Sequence, residues 1–117
     1  MLRKLKTSLS TSNYLGEFEQ LVLLAVLRLG DNAYGMRIRQ EIIAAGRSAS
    51  LGAVYVTLER LEEKGCVLSS VGDPSPERGG RAKKYFQVRA SGLTALKRSI
   101  NTTVFLCEGL GELIGGR

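Results

Sequence analysis

The chain has 117 residues, enough for one domain with a modest core, and its apolar and charged shares of 44% and 24% are those of an ordinary globular protein. A net charge of +6 points to an anionic partner, while the absence of any histidine removes the commonest general base and the commonest zinc ligand. No Ser-centred elbow, phosphate loop or paired-carboxylate motif takes its place, so catalysis, a cofactor and a metal centre are all unexpected.

Residues 1–13, "MLRKLKTSLSTSN", carry Arg3, Lys4 and Lys6 without an acid and read as a basic flexible arm. Polar residues follow the basic start where a signal peptide has its apolar segment, so no leader is expected. Residues 14–29 fit a helix, with Glu17 and Glu19 near its positive end and Gly30 as its stop. Its apolar residues cover nearly the whole circumference, and a helix of that kind has to be buried all round, which in so small a protein suggests a second chain on one side. The apolar run at 21–27 is seven residues long, far below the roughly 20 of a membrane helix.

"DNAYGMRIRQEIIAAG" predicts a second helix, capped by Asp31 or Asn32, with Ile38, Ile42 and Ala45 on one face and Gly46 as terminator. After "RSAS" comes "LGAVYVTLERLEEKG", with Ser50 as cap, Gly65 as stop, and Leu51, Val54, Leu58 and Leu61 at intervals of three and four. Two helices joined by so short a turn form a helix-turn-helix. The period then falls to two: "CVLSSVGD" and "KKYFQVRA" are short strands, and "PSPERGGR" is the loop between them. In the second strand Phe86 and Val88 share one face, and Lys83, Tyr85, Gln87 and Arg89 the other. Helix, helix, helix, hairpin is the order of a winged helix. The expected fold is therefore α+β, mainly α: a winged helix-turn-helix over 14–91 followed by a C-terminal dimerisation helix over 92–117.

Charge is concentrated rather than spread. Residues 77–91 carry five cations against Glu77, and Arg78, Arg81 and Lys83 surround the flexible Gly79-Gly80 pair of the wing. Such a loop can follow a phosphate backbone, although a basic hairpin solvated on all sides has the same composition. On the third helix, the side opposite the Val54 stripe holds Gly52, Val56, Glu59, Arg60 and Glu63, with Ala53 beside them. Small residues there admit a close backbone approach to bases. Ser50 can donate to a phosphate or base edge, Val56 suits a thymine methyl, and Arg60 reaches towards a phosphate. A solvated helix with one incidental exposed valine fits this face equally well when the helix is taken alone. The three glutamates at its far end leave only the first two turns for DNA.

In the C-terminal segment Leu93, Leu96, Ile100, Thr103, Cys107, Leu110 and Ile114 alternate at three and four, an a/d seam of about three heptads. It suits either a second copy of the chain or the chain's own first helix; a homodimer is the favoured reading, since the first helix also has apolar surface to spare. Cys66 and Cys107 form no metal-ligand spacing and read as small hydrophobes in a reducing cytoplasm. The partner inferred is double-stranded DNA rather than a membrane; the competing reading is an interaction module whose basic wing binds an acidic protein or membrane surface.

Four stretches, "LGEFEQLVLLAVLRL", "AYGMRIRQEI", "LGAVYVTLERLEEKGCV" and "ERGGRAKKYFQVRASGLTAL", resemble the PadR family of bacterial transcriptional regulators over residues 15–96. The most specific features are Tyr55 in the third helix, the exit from Leu61 to Gly65, and a basic-Tyr-aromatic strand leading to Ser91-Gly92. The resemblance implies a dimeric repressor joined through its C-terminal helix, often controlling detoxification, phenolic-acid stress or export genes, and in some members released by a small planar effector. It places Ser50, Gly52, Ala53 and Tyr55 in the recognition-helix region, Arg81 and Lys83 in the wing, and Tyr34 at a helix start that approaches phosphate. Val56 stands where many members have proline, the C-terminal helix is short and single, and the chain has no tryptophan to sandwich a ligand.

Overall fold

The computed structural model describes residues 14–72 and 82–115. The basic arm at 1–13 and the wing residues Arg78 and Arg81 lie outside the described residues.

Helix α1 spans Glu17–Leu29. Gly16 at its N-cap donates its backbone N–H to Glu19 Oε1 at 2.8 Å, and the same carboxylate receives Lys64 Nζ at 2.9 and 3.0 Å. Lys64 also donates to the Tyr14 carbonyl, so one ammonium ties the start of α1 to the far side of the domain. Val22, Leu23, Ala25 and Val26 are buried, whereas Leu27 is 45% exposed and Leu21 and Leu24 are half-buried. Within one chain α1 is thus not buried all round.

The start of the second helix differs from the expectation. After α1 the chain makes a 3-10 turn, Gly30–Asn32, and α2 begins only at Gly35, with Tyr34 in the N-cap position and no side-chain cap. Neither Asp31 nor Asn32 caps it, because residues 33 and 34 are drawn out to pair with the hairpin. The Ala33 carbonyl accepts Phe86 N–H at 2.9 Å, and Tyr34 bridges Tyr85 in antiparallel fashion. Helix α2, Gly35–Ala44, buries Ile38 and Ile42, but Ala45 lies past its end and is exposed rather than on the core face. Gly46, at φ +103°, donates to the Ile43 carbonyl and Arg47 N–H to that of Ile42, the paired bonds of a Schellman stop.

Ser50 caps α3, Leu51–Glu63, its hydroxyl oxygen accepting Ala53 N–H at 3.0 Å. Val54, Thr57, Leu58 and Leu61 face the core, and Gly65 ends the helix with a second Schellman pair. Strands β1, Val67–Val71, and β2, Lys84–Val88, pair antiparallel with Val67 opposite Val88 and Val71 opposite Lys84. Phe86 and Val67 turn into the core; Ser69 donates to Glu62 Oε2 at 2.7 Å, fastening the sheet to α3.

Helix α4, Ala90–Cys107, starts before the boundary expected at 92, and its first turns belong to the same core. Ser91 Oγ donates to the Gly65 carbonyl at 2.6 Å, Gly92 lies against the Cys66 backbone, and Ala95 and Leu96 are buried. The seam of sevens is not one continuous line. Leu96 is 2% exposed and Ile100 packs on the chain's own core, then the helix ends at Cys107 and a short α5, Gly111–Ile114, follows a turn at Gly109. Leu93 and Leu110 are exposed, as are Val104, Phe105, Leu106, Leu113 and Ile114.

Candidate nucleic-acid interface

The core stripe of α3 decides what its outer face presents. With Val54, Leu58 and Leu61 turned inwards, Gly52, Ala53, Tyr55, Val56, Glu59 and Arg60 are all exposed, Tyr55 by 42% and Val56 by 52%. The helix N-terminus adds Ser50, whose oxygen is committed to capping but whose hydroxyl hydrogen is free to donate outwards. Arg60 sits about three turns further on, next to Glu59 and Glu63, so charge along this face runs from uncharged at the start to mixed and acidic at the end.

Three of the expected residues are gathered around the start of α2. Lys83 Nζ lies 3.6 Å from the centroid of the Tyr34 ring, a cation–π contact at the root of the wing. Tyr85 meets the same ring edge-on, centroids 5.6 Å apart and planes at 74°. Tyr55 reaches this cluster from α3, its ring lying over Gly35. Ser50 and Ala53 are placed separately, at the mouth of a hollow of about 530 Å³ whose lining includes Phe18, Arg39 and Arg47, and Gly52 is exposed between them.

Arg39 and Arg47 escaped the sequence reading, which put Tyr85 on the same strand face as Lys83 without giving it a site role. Arg39 Nε donates to the Ala49 carbonyl at 2.8 Å, bracing the turn before α3. Arg47 stacks 5.1 Å from the Phe18 ring centroid, donates to the Ser48 carbonyl, and pairs with Glu17 at 3.0 Å. That hydrogen-bonded guanidinium holds the Glu17 carboxyl below its ordinary value. Arg39, off the core stripe of α2, and Arg47, in the turn that follows it, belong to no shared periodicity, so only their position in space reveals them.

Among the described residues no cluster of acids or cysteines is arranged to hold a metal ion. No helix among them is long and apolar enough to cross a membrane.

This arrangement has relatives. The chain superposes on a PadR family transcriptional regulator from Eggerthella lenta with a TM-score of 0.64 at 23% identity, covering 99% of this chain and 97% of that one. A PadR family regulator from Clostridium difficile gives 0.66 at 19% identity, covering 84% and 99%. The Aeropyrum pernix ORC1 protein, solved in complex with DNA, gives 0.59 at 21% identity, covering 82% of this chain and 27% of that one. No curated protein sequence matches the chain. The Transcriptional regulator PadR-like family matches residues 23–98, from the middle of α1 through both strands into α4. With helix, helix, helix and hairpin in winged-helix order and the family match spanning most of the chain, the protein belongs to the PadR-like family and is a DNA-binding transcriptional regulator, not an enzyme.

Proposed function

We propose that the protein is a cytoplasmic repressor that binds a near-palindromic operator as a homodimer and is released by a small planar effector. The first two turns of α3 enter the major groove, where Ser50, Gly52, Ala53 and Val56 allow close approach and Tyr55 contributes its ring and hydroxyl. Arg60 and the wing cations Arg78, Arg81 and Lys83 contact phosphates, and Tyr34 supports them from the start of α2. The observation that carries this reading is the exposed, uncharged N-terminal face of α3, whose Tyr55 lies over Gly35, next in the chain to the Tyr34 that holds the cationic wing root at Lys83. Dimerisation draws support from the exposed apolar end of the molecule, Val104, Phe105 and Leu106 with Leu110, Leu113 and Ile114, which continues the seam at Thr103 and Cys107. The effector reading rests on the family alone.

Fluorescence anisotropy against DNA from just upstream of its own gene, with a scrambled duplex as control and at two salt concentrations, tests the proposal. Operator affinity at least about a thousandfold above the scrambled duplex is expected. Arg81→Ala with Lys83→Ala should weaken binding and reduce the salt slope by about 2. Equal, salt-sensitive binding to any polyanion would instead mark the wing as a general acidic-surface contact.

A further inference from the structure

Gly35 opens α2 and is buried, yet its backbone does not require a glycine: its φ is not among the positive ones. What excludes a side chain is Tyr55. A Cβ at position 35 would stand 2.5 Å from Tyr55 Oη and 2.8 Å from Cε1, well inside van der Waals contact. The ring of a DNA-facing residue of α3 therefore lies in a seat formed by the bare backbone of α2. The atoms in the way belong to the far end of a flexible side chain, so an added methyl group displaces the ring rather than the backbone. The preceding residue, Tyr34, holds the wing root through Lys83 and Tyr85, and the Ala33 carbonyl accepts from Phe86 N–H. Three consecutive residues thus touch both parts of the molecule assigned to DNA: the recognition helix through Gly35 and the wing through Ala33 and Tyr34.

We propose that Gly35 is a positioning residue for DNA recognition, which acts by seating the Tyr55 ring at the start of α2 and so sets where α3 presents that ring relative to the wing. The proposal rests on the reading of α3 and the wing as the DNA-binding surface. Gly35 itself touches no DNA; its effect runs through Tyr55, and that makes it separable.

The test compares Gly35→Ala in two backgrounds, the unmodified chain and Tyr55→Ala, using melting temperature and anisotropy against the upstream operator duplex. In the unmodified background Gly35→Ala should keep its cooperative melting transition and lose about tenfold in operator affinity, a coupling typical of residues in direct contact. In the Tyr55→Ala background the same change should alter affinity less than about twofold, since no ring remains to be displaced. Equal losses in both backgrounds, or no loss in the unmodified one, would overturn the proposal. A Gly35→Ala chain that does not fold would overturn it too, because the glycine would then serve the fold alone. The Gly35 Hα resonances of the free protein give a readout independent of DNA: a ring over them shifts them upfield, and Tyr55→Ala should abolish that shift. If the unmodified protein selects no duplex while the upfield shift persists, the DNA reading has failed and the proposal falls with it; if the shift is absent, the seat itself is wrong.

Discussion

Cys66 sits where α3 hands over to β1, its thiol buried and its backbone pressed by Gly92. Burial pushes the thiol above its ordinary value, outweighing the nearby Lys64 ammonium. The folded chain therefore prefers the neutral thiol more strongly than the unfolded chain does. That preference adds stability below the ordinary thiol value of 9.0 and is lost as pH rises through the higher folded value. Melting temperature measured across this alkaline range should fall less steeply for Cys66→Ala than for the unmodified chain, and alkylating reagents should reach Cys66 only on unfolding. Single residues were legible in the sequence where the interaction was local: Ser50 caps α3, and Gly46 and Gly65 stop their helices, because each acts within a few residues of itself. Asp31 and Asn32 look equally good as caps, but a contact with β2, fifty residues away, overrides them.

Among the elements, α4 has two environments along one helix. Its first turns are wedged against the domain, with any Cβ at Gly92 blocked by the carbonyl oxygen of Cys66 and set 3.0 Å from its carbonyl carbon. Backbone cannot step aside as a tyrosine ring can. Gly92→Ala should therefore destabilise the fold by about 2–3 kcal/mol in denaturant titration, in contrast to the small effect expected at Gly35. The heptad pattern of this segment was visible in the sequence, yet periodicity reports only that a helix face is covered. It does not say by what. Leu96 and Ile100 are covered by the chain's own core, and Leu93 with the residues beyond Ile100 remain for another chain. The hairpin and its alternation were readable for the opposite reason: Phe86 and the short turn-bounded strands bury one face against a partner already present.

At the scale of the molecule, the described residues span 52 × 44 × 21 Å, a flat body whose apolar outer end is α4 with α5. Phe105 is 69% exposed there, between Val104 and Leu106, and this run of exposed apolar residues is the surface on which the proposed dimer rests. Phe105→Glu should give monomers in sedimentation velocity that still melt in one cooperative transition, since the side chain takes no part in the core; a variant that stays dimeric would move the interface to α1, where Leu27 is also exposed. The overall architecture was legible because the order of periods, 3.6 three times and then 2, admits few arrangements. The contacts of Tyr34 with Lys83 and Tyr85, and of Tyr55 with Gly35, were not, because their members lie far apart in the chain and share no spacing.

The wedge at Gly92 makes α4 a stiff arm rather than a tether. Its 18 residues span about 27 Å, and the turns past Ile100 project from the domain. In the proposed dimer, opening the crossing of two such arms by about 10° would change the separation of their domain-proximal ends by about 5 Å, more than one base-pair step of about 3.4 Å. The proposed effector, if seated between the arms of that dimer, would need no contact with α3 to put the two recognition helices out of phase with their half-sites; leverage would release the DNA.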